Sequence, residues 1–132
     1  MALKKAKLKA KTTNDRVEII LFADSSCKSE VGELIINVNC IKNKLYGQVE
    51  RFCVAPKYRN HGNGKNMLNL AIAELKKLKV AYVMVAPNPE PYEEEEPLLY
   101  PILYSIYGKL GFVFLNDNVN LQNPNEEMKL EI

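Results

Sequence analysis

One short segment holds most of the residues whose types and spacing could do chemistry. Arg59, Gly62 and Gly64 follow the pattern Arg-x-x-Gly-x-Gly. Together with Arg59, the basic residues His61 and Lys65 add charge around the same turn. Glycines let the backbone approach a ligand with no Cβ in the way, and successive amides before a helix bind anions. The segment is therefore typical of a phosphate site, although a glycine pair alone is also compatible with an ordinary turn.

The elements on either side of this turn differ in their periodicity. Residues 45–55 are mostly apolar and predict a strand that Pro56 ends. After Lys65 the apolar residues recur at helical spacing, at Leu68, Ala71, Ile72 and Leu75. A strand, a glycine turn and a helix in this order would direct the first amides of the helix at a bound anion.

The rest of the chain predicts an α+β fold. Alternating or compact apolar runs predict further strands at residues 4–12, 16–23, 31–38, 80–86, 112–115 and 127–132. A second helix is predicted from Pro97 to Leu110, with preceding glutamates at the positive end of its dipole and Gly111 at its end. We therefore expect one domain over residues 1–132, with a mostly antiparallel twisted sheet of about seven strands and two main helices.

Composition and charge exclude several classes of protein. A net charge of +2 is too small to indicate nucleic-acid binding, and the alternating lysines near the start suit an exposed edge strand. One histidine and three cysteines without metal-type spacing make a zinc site improbable. Without a signal-peptide pattern or an apolar run of membrane-spanning length, we expect a cytoplasmic protein that binds no membrane.

Two motifs resemble those of a known family. The stretch from Phe52 to Leu68 resembles the acetyl-CoA motif of the GNAT superfamily of N-acetyltransferases, whose signature is Arg/Gln-x-x-Gly-x-Gly/Ala between a strand and a helix. The stretch from Tyr107 to Phe112 resembles the aromatic-x-x-Leu-Gly-Phe helix ending of that family. The resemblance covers about residues 31–132. It implies a GNAT-like acyl-CoA acyltransferase fold, acetyl-CoA as cosubstrate and transfer of an acetyl group to a primary amine.

The resemblance also implies where the cofactor lies. The backbone groups of Phe52, Cys53 and Val54 would pair with the pantetheine arm where two strands separate, and an N–H near Val54 could stabilise an oxyanion. The pyrophosphate would lie beside Arg59, on the N–H groups of Asn60, His61, Gly62, Asn63, Gly64 and Lys65.

Two side chains are candidates for proton transfer in such a reaction. Tyr107 occupies the general-acid position of the family, and the alternative is a tyrosine that only packs in the core. The resemblance also implies that the general base comes from this region of the fourth strand, where Glu50 is ionisable and Gln48 on the same face is not. Glu50 is therefore the candidate base; alternatively it is a surface glutamate paired with Arg51 or a lysine. A buried strand residue is the better interpretation of Cys53 than a nucleophile.

The chain departs from the family on the acceptor side. Tyr100 stands where many members carry an asparagine, and only Thr13, Asn14 and Asp15 separate the first two strands, where the family has helices. We therefore expect a direct hairpin and an open acceptor site. That site could admit a protein lysine or N-terminus, or a second subunit of a homodimer could close it.

Two questions stay open from the sequence. Glu90 and Glu93–Glu96 could attract a cationic acceptor such as a polyamine, or they could form a solvated loop. The function is either that of an active N-acetyltransferase or that of a catalytically weak acyl-CoA-binding regulatory protein that retains the fold.

Overall fold

A computed structural model describes residues 6–89, 91, 96–124 and 126–132. Lys4 and Lys5, and the acidic residues Glu90 and Glu93–Glu95, lie outside the described residues. In chain order the elements are β1 (Lys7–Thr12), β2 (Arg16–Phe22), β3 (Glu30–Ile41), β4 (Lys44–Val54), a 3₁₀ turn (Pro56–Tyr58), α1 (Asn63–Lys77), β5 (Tyr82–Val85), α2 (Tyr100–Lys109), β6 (Val113–Phe114) and β7 (Met128–Glu131).

The first two strands form the predicted direct hairpin. They pair antiparallel from Lys7 opposite Phe22 to Thr12 opposite Val17, and the Thr13 amide donates to the Arg16 carbonyl across the turn at 2.9 Å. Three residues are too few for the helices expected in the family. The prediction of a hairpin is therefore confirmed, and β1 is an edge strand, as its lysines indicated.

The described strands form one seven-stranded sheet in the order β1-β2-β3-β4-β5-β7-β6. All neighbours pair antiparallel except β4 and β5, which are parallel and joined through α1. This architecture confirms the predicted mixed α+β fold with two main helices.

The helix α1 covers one face of the sheet because its apolar stripe matches alternate residues of the strands. Both sides of this contact are fully or almost fully buried, at Val17, Ile19, Leu21, Leu34 and Ile36 of the sheet and at Met67, Leu68, Ala71 and Leu75 of the helix. Gly47 lies beneath the helix, since a Cβ there would lie 3.7 Å from Leu75 Cδ1 of α1 and only 2.7 Å from Ile36 Cγ2 of β3. The alternate residues of the strands, on the face away from α1, are mainly charged, polar or aromatic.

The second helix begins later than predicted. It starts at Tyr100 with Pro101 in its first turn and has no acidic residue in that turn. Its predicted start at Pro97 is therefore wrong, and so is the compensation of its dipole by the preceding glutamates. A start at Pro97 would place the Pro101 ring against the carbonyl of Pro97, four residues earlier, and would break the helix. The predicted end is confirmed, because Gly111 adopts a φ of 105° just after it.

Candidate active site

The turn before α1 has the conformation of an anion site. After the 3₁₀ turn, Asn60 has a φ of 61° and Gly62 a φ of 79°, and α1 begins at Asn63. No side chain caps α1, and its first turn contains no acidic residue. A Cβ built on Gly62 would meet nothing within 4 Å, so open space lies beside the turn. The first amides of α1 are thus placed to donate to an anion.

Two side chains fasten this turn to its surroundings. Arg59 Nε donates to the carbonyl oxygen of Val54 at 2.8 Å, and Asn63 Nδ2 donates to the carbonyl oxygen of Tyr58 at 2.9 Å. The sequence suggested that Arg59 adds charge around the turn. In the structure its Nε ties the turn to the last residue of β4.

This hydrogen bond predicts which substitutions of Arg59 preserve the binding of acetyl-CoA. Gln carries its Nε2 the same number of bonds from Cα as Arg carries Nε, so Arg59→Gln can keep the hydrogen bond to Val54. We expect Arg59→Gln to keep the KM for acetyl-CoA within about threefold, and Arg59→Met to raise it about tenfold. Steady-state kinetics measures both values. If Arg59→Lys keeps the wild-type KM while Arg59→Gln loses it, the charge and not the Nε contact is what matters.

The strands β4 and β5 separate beside this turn. They pair only from Tyr46–Gln48 to Tyr82–Met84, whereas β4 continues to Val54. On its other edge β4 stays paired with β3. A gap therefore opens along the last part of β4, on the side of β5.

The backbone of β4 presents alternate residues to this gap. The Ala55 amide donates to the carbonyl oxygen of Val31, beyond the end of β3, at 2.7 Å. Because backbone groups alternate along a strand, those of Cys53 also point towards β3, and those of Phe52 and Val54 point into the gap. Of the three residues expected to pair with pantetheine, Phe52 and Val54 direct backbone groups at the gap. The expectation is wrong for the backbone of Cys53, which faces Glu33 of β3.

A cavity of about 230 Å³ joins the end of β4, the turn and α2. Seven of the residues predicted for the site line this cavity; they are Phe52, Cys53, Val54, Arg59, Asn60, Gly64 and Tyr107. His61, Gly62, Asn63 and Lys65 belong to the same turn but do not line the cavity. The other lining residues were not among the predicted site residues; they are Asn88, Pro89, Pro91, Leu98, Leu103, Ile106 and Leu110. The proline-rich run after β5 was the available signal for this wall.

Tyr107 lies on the wall that α2 contributes to the cavity. It is 6% exposed, and its ring packs edge-on against Phe52 at 6.1 Å and Phe112 at 5.5 Å between centroids. Phe52 in turn lies against Gly64, whose built Cβ would be 3.7 Å from Phe52 Cζ. Aromatic packing thus fixes the position of Tyr107 relative to the end of β4 and the turn.

The neighbouring Tyr104 has a different environment. Its hydroxyl donates to the Asn123 carbonyl and accepts from the Glu126 amide, so it fastens the segment before β7 to α2. Burial raises the pKa of Tyr104 above its ordinary value. Tyr104 does not line the cavity. Tyr100, which replaces the asparagine of the family, packs against Tyr104 with ring centroids 5.9 Å apart and planes tilted by 33°. It does not line the cavity either.

Glu50 lies outside the cavity, on the face of the sheet away from α1. Val49 pairs with Ile36 and Arg51 with Ile35, so Glu50 is the extra residue of a β-bulge. Its side chain is 48% exposed and its Oε2 lies 3.3 Å from Arg16 Nη2. The partner is therefore Arg16 and not Arg51, which pairs with Glu33 at 2.9 Å.

Arg16 also approaches a second carboxylate. Its Nε lies 2.9 Å from Glu18 Oε1, but this nitrogen makes no well-directed hydrogen bond. The contact is therefore an ion pair and not a hydrogen bond. Since both groups are partly exposed, such a pair contributes little to stability.

The described residues include neither a metal cluster nor a membrane-spanning helix. No group of three or more His, Cys, Asp or Glu side chains among them could hold a metal ion. In the same part of the chain, no helix is long and apolar enough to cross a membrane.

A mixed sheet with a separated parallel pair and a glycine turn beside the gap is the fold of acyl-CoA N-acyltransferases of known structure. The family model described as "Acetyltransferase (GNAT) family" matches residues 30–95, half of the chain, and the chain belongs to this family. It is therefore an N-acetyltransferase that uses acetyl-CoA and acts on an amine acceptor. The matched residues include the glycine turn and end before Tyr107.

Several solved structures share the fold. The NatC complex bound to Gag peptide and CoA is 16% identical with a TM-score of 0.63, over 87% of this chain and 70% of that chain. The PaiA N-acetyltransferase from Thermoplasma acidophilum, in complex with coenzyme A, is 21% identical with a TM-score of 0.61, over 89% and 62%.

A GNAT-family acetyltransferase from Staphylococcus aureus Mu50 is 15% identical with a TM-score of 0.59, over 88% and 67%. The chain thus spans about two thirds of the length of these neighbours. No curated protein matches the sequence.

Proposed function

We propose that this chain transfers the acetyl group of acetyl-CoA to a primary amine by direct attack on the thioester. One observation carries the proposal: a single cavity joins the gap along β4, the glycine turn and Tyr107. We take residues 1–132 as one catalytic domain. The acceptor amine belongs to a protein lysine or N-terminus, a polyamine or another small molecule.

Acetyl-CoA would lie along this cavity from the turn to the gap. Its pyrophosphate accepts hydrogen bonds from the amides of residues 60–65, where the uncapped start of α1 supports anion binding. His61 and Lys65 would lie close to the phosphates. The pantetheine arm pairs with the backbone of Phe52 and Val54 and passes the Cys53 side chain. The open space at Gly62 supports this placement, because it lets phosphate oxygens approach the backbone.

The chemical step makes one bond and breaks one. The neutral amine attacks the thioester carbonyl carbon, and an N–H near Val54 stabilises the oxyanion that develops. The C–S bond then breaks and the Tyr107 hydroxyl protonates the departing coenzyme A sulfur. The position of Tyr107 beside Phe52, on the wall of the cavity, supports this role.

Glu50 is our proposed acceptor of the proton that the amine must lose. It lies on a bulge beyond the last paired residues of β4 and β5, on the face of the sheet away from α1. Because it does not line the cavity, it would take the proton through water. Arg16 keeps the carboxylate in place from β2.

The acceptor would approach over the face of the sheet away from α1. The short β1–β2 connection supports this direction, because no helix lies between these two strands to cover that face. Among the structural neighbours, the NatC complex holds a peptide together with CoA, which supports a peptide as one class of acceptor. A second copy of this chain could provide the missing wall of the site.

An amine panel tests the proposal on the purified full chain. Acetyl-CoA is mixed with a peptide bearing a free N-terminus, a lysine peptide with a blocked N-terminus, a linear polyamine or a simple alkylamine. We expect amine-dependent thiol release and a product that is heavier by one acetyl group in mass spectra. Binding of acetyl-CoA without transfer to any amine would instead support the regulatory alternative.

A further inference from the structure

Two tyrosines form a platform on the face of the sheet away from α1. Tyr46 of β4 and Tyr82 of β5 are register partners, and their rings stack with centroids 5.5 Å apart and planes within 10° of parallel. Gly47 faces Leu75 of α1, so Tyr46 on the same strand points the other way. We call the Tyr46–Tyr82 pair the tyrosine platform.

The tyrosine platform lies next to the place where the two strands separate. The last register pair of β4 and β5 is Gln48 with Met84, two residues beyond the platform, and the bulge at Glu50 follows. At about 3.3 Å per residue, the platform lies roughly 7 to 13 Å along β4 from the start of the gap. An extended alkyl chain between two amino groups can therefore reach from the platform to the start of the gap.

An ammonium group already occupies one face of the platform. Lys129 Nζ lies 4.3 Å from the centroid of the Tyr82 ring and 2.8 Å from Glu131 Oε1. The hydrogen bond with Glu131 raises the pKa of Lys129 above its ordinary value. A ring face and a carboxylate are the two groups that recognise an alkylammonium ion, and this arrangement holds one.

The platform does not belong to the hydrophobic core. Neither tyrosine packs against the buried cluster beneath α1, and both rings are partly exposed. Lys129 is 30% exposed and therefore has room to move away. Stacking across strands helps to pair β4 with β5, but it does not require a carboxylate beside the rings.

We propose that the tyrosine platform, with Glu131, binds a second, non-reacting ammonium group of the acceptor. Lys129 occupies this subsite until the acceptor displaces it. This inference rests on the proposed transfer reaction and deepens it. It selects acceptors with two separated ammonium groups, which are long polyamines or lysine-rich peptide segments.

The test compares a long diamine with a monoamine of the same length. Tyr82→Leu should lower kcat/KM for the diamine about tenfold and change that for the monoamine less than twofold. Tyr82→Phe, which keeps the ring, should behave as the wild type. Lys129→Met should raise kcat/KM for the diamine about threefold. The matched control, Lys9→Met, removes the same charge from β1 at the far edge of the sheet and should change neither value.

The ammonium subsite can be tested separately from acetyl transfer. Equal losses for the diamine and the monoamine in Tyr82→Leu, or no loss, would overturn the subsite while transfer persists. If no amine is acetylated, calorimetric titration of the diamine into the full chain with coenzyme A tests the subsite directly. Binding that Tyr82→Leu weakens about tenfold supports it, and equal binding by both proteins overturns it.

The source of the ammonium is resolved by a second pair of acceptors. A lysine-rich peptide and a linear polyamine are compared in wild type and Tyr82→Leu. The acceptor whose kcat/KM falls in the variant is the class that reaches the platform. An unchanged kcat/KM for both would overturn the subsite.

Discussion

Replacing Tyr107 with Phe should lower kcat about 100-fold and leave the KM for acetyl-CoA within twofold. The change removes only the hydroxyl, and the remaining ring can keep its packing against Phe52 and Phe112. General acid catalysis by a positioned side chain contributes about 10²- to 10⁴-fold, so the lower end of that range is expected. Thiol release at saturating amine measures kcat directly.

Tyr104→Phe is the matched control, because it removes a hydroxyl from the same helix. That hydroxyl bonds the backbone of Asn123 and Glu126 and does not face the cavity. We expect it to lower the free energy of unfolding by about 1 kcal/mol and to leave kcat within about threefold. If Tyr107→Phe turns over as fast as the wild type, Tyr107 is a packing residue and another group protonates the thiolate.

Replacing Gly62 with Ala should raise the KM for acetyl-CoA about 30-fold. The added Cβ projects into the open space beside the turn, where the phosphates would approach the backbone. The φ of 79° also strains any residue with a Cβ, which costs about 1 to 2 kcal/mol of stability. Steady-state kinetics and thermal unfolding separate the two effects.

Gly111→Ala controls for that strain. Gly111 has a φ of 105° at the end of α2, and its Cβ would approach Leu130 Cδ1 at 3.2 Å. It should lose at least as much stability as Gly62→Ala while keeping the KM for acetyl-CoA within about twofold. A similar rise in KM for both variants would show that strain alone, and not the space at Gly62, explains the result.

The features that were predictable from the sequence are those that local patterns determine. Alternation located the strands, and three residues between β1 and β2 permitted only a hairpin. The glycine turn was found because its residue types, its spacing and its flanking elements agree. The start of α2 was missed although the signal was local. In the second turn of a helix, Pro101 would remove a backbone hydrogen bond and clash with the carbonyl of Pro97, and that cost outweighs a favourable run of glutamates.

Features that depend on two distant segments were not predictable in this way. The bulge at Glu50 exists because β3 and β4 change register, and its ion pair with Arg16 requires β2 to lie beside β3. The direction of the Arg59 side chain towards Val54 depends on how the turn folds back. A hydrogen bond from this position to the backbone also fits a family signature that begins with Arg or Gln, since both side chains carry an N–H group at the ε position.

The tyrosine platform could not be predicted from the sequence for the same reason. Tyr46 and Tyr82 are 36 residues apart, and neither belongs to a motif. Only the parallel register of β4 and β5 places them in contact, and only the pairing of β5 with β7 adds Lys129 and Glu131.

A titration of ¹⁵N-labelled protein with acetyl-CoA, followed by amide chemical shifts, tests directly whether the turn before α1 binds the pyrophosphate. We expect saturable shifts of the amides from Asn60 to Lys65, larger than those of β1, because the pyrophosphate accepts their hydrogen bonds. Saturable binding of acetyl-CoA that leaves these amides unshifted would show that the pyrophosphate does not bind at this turn.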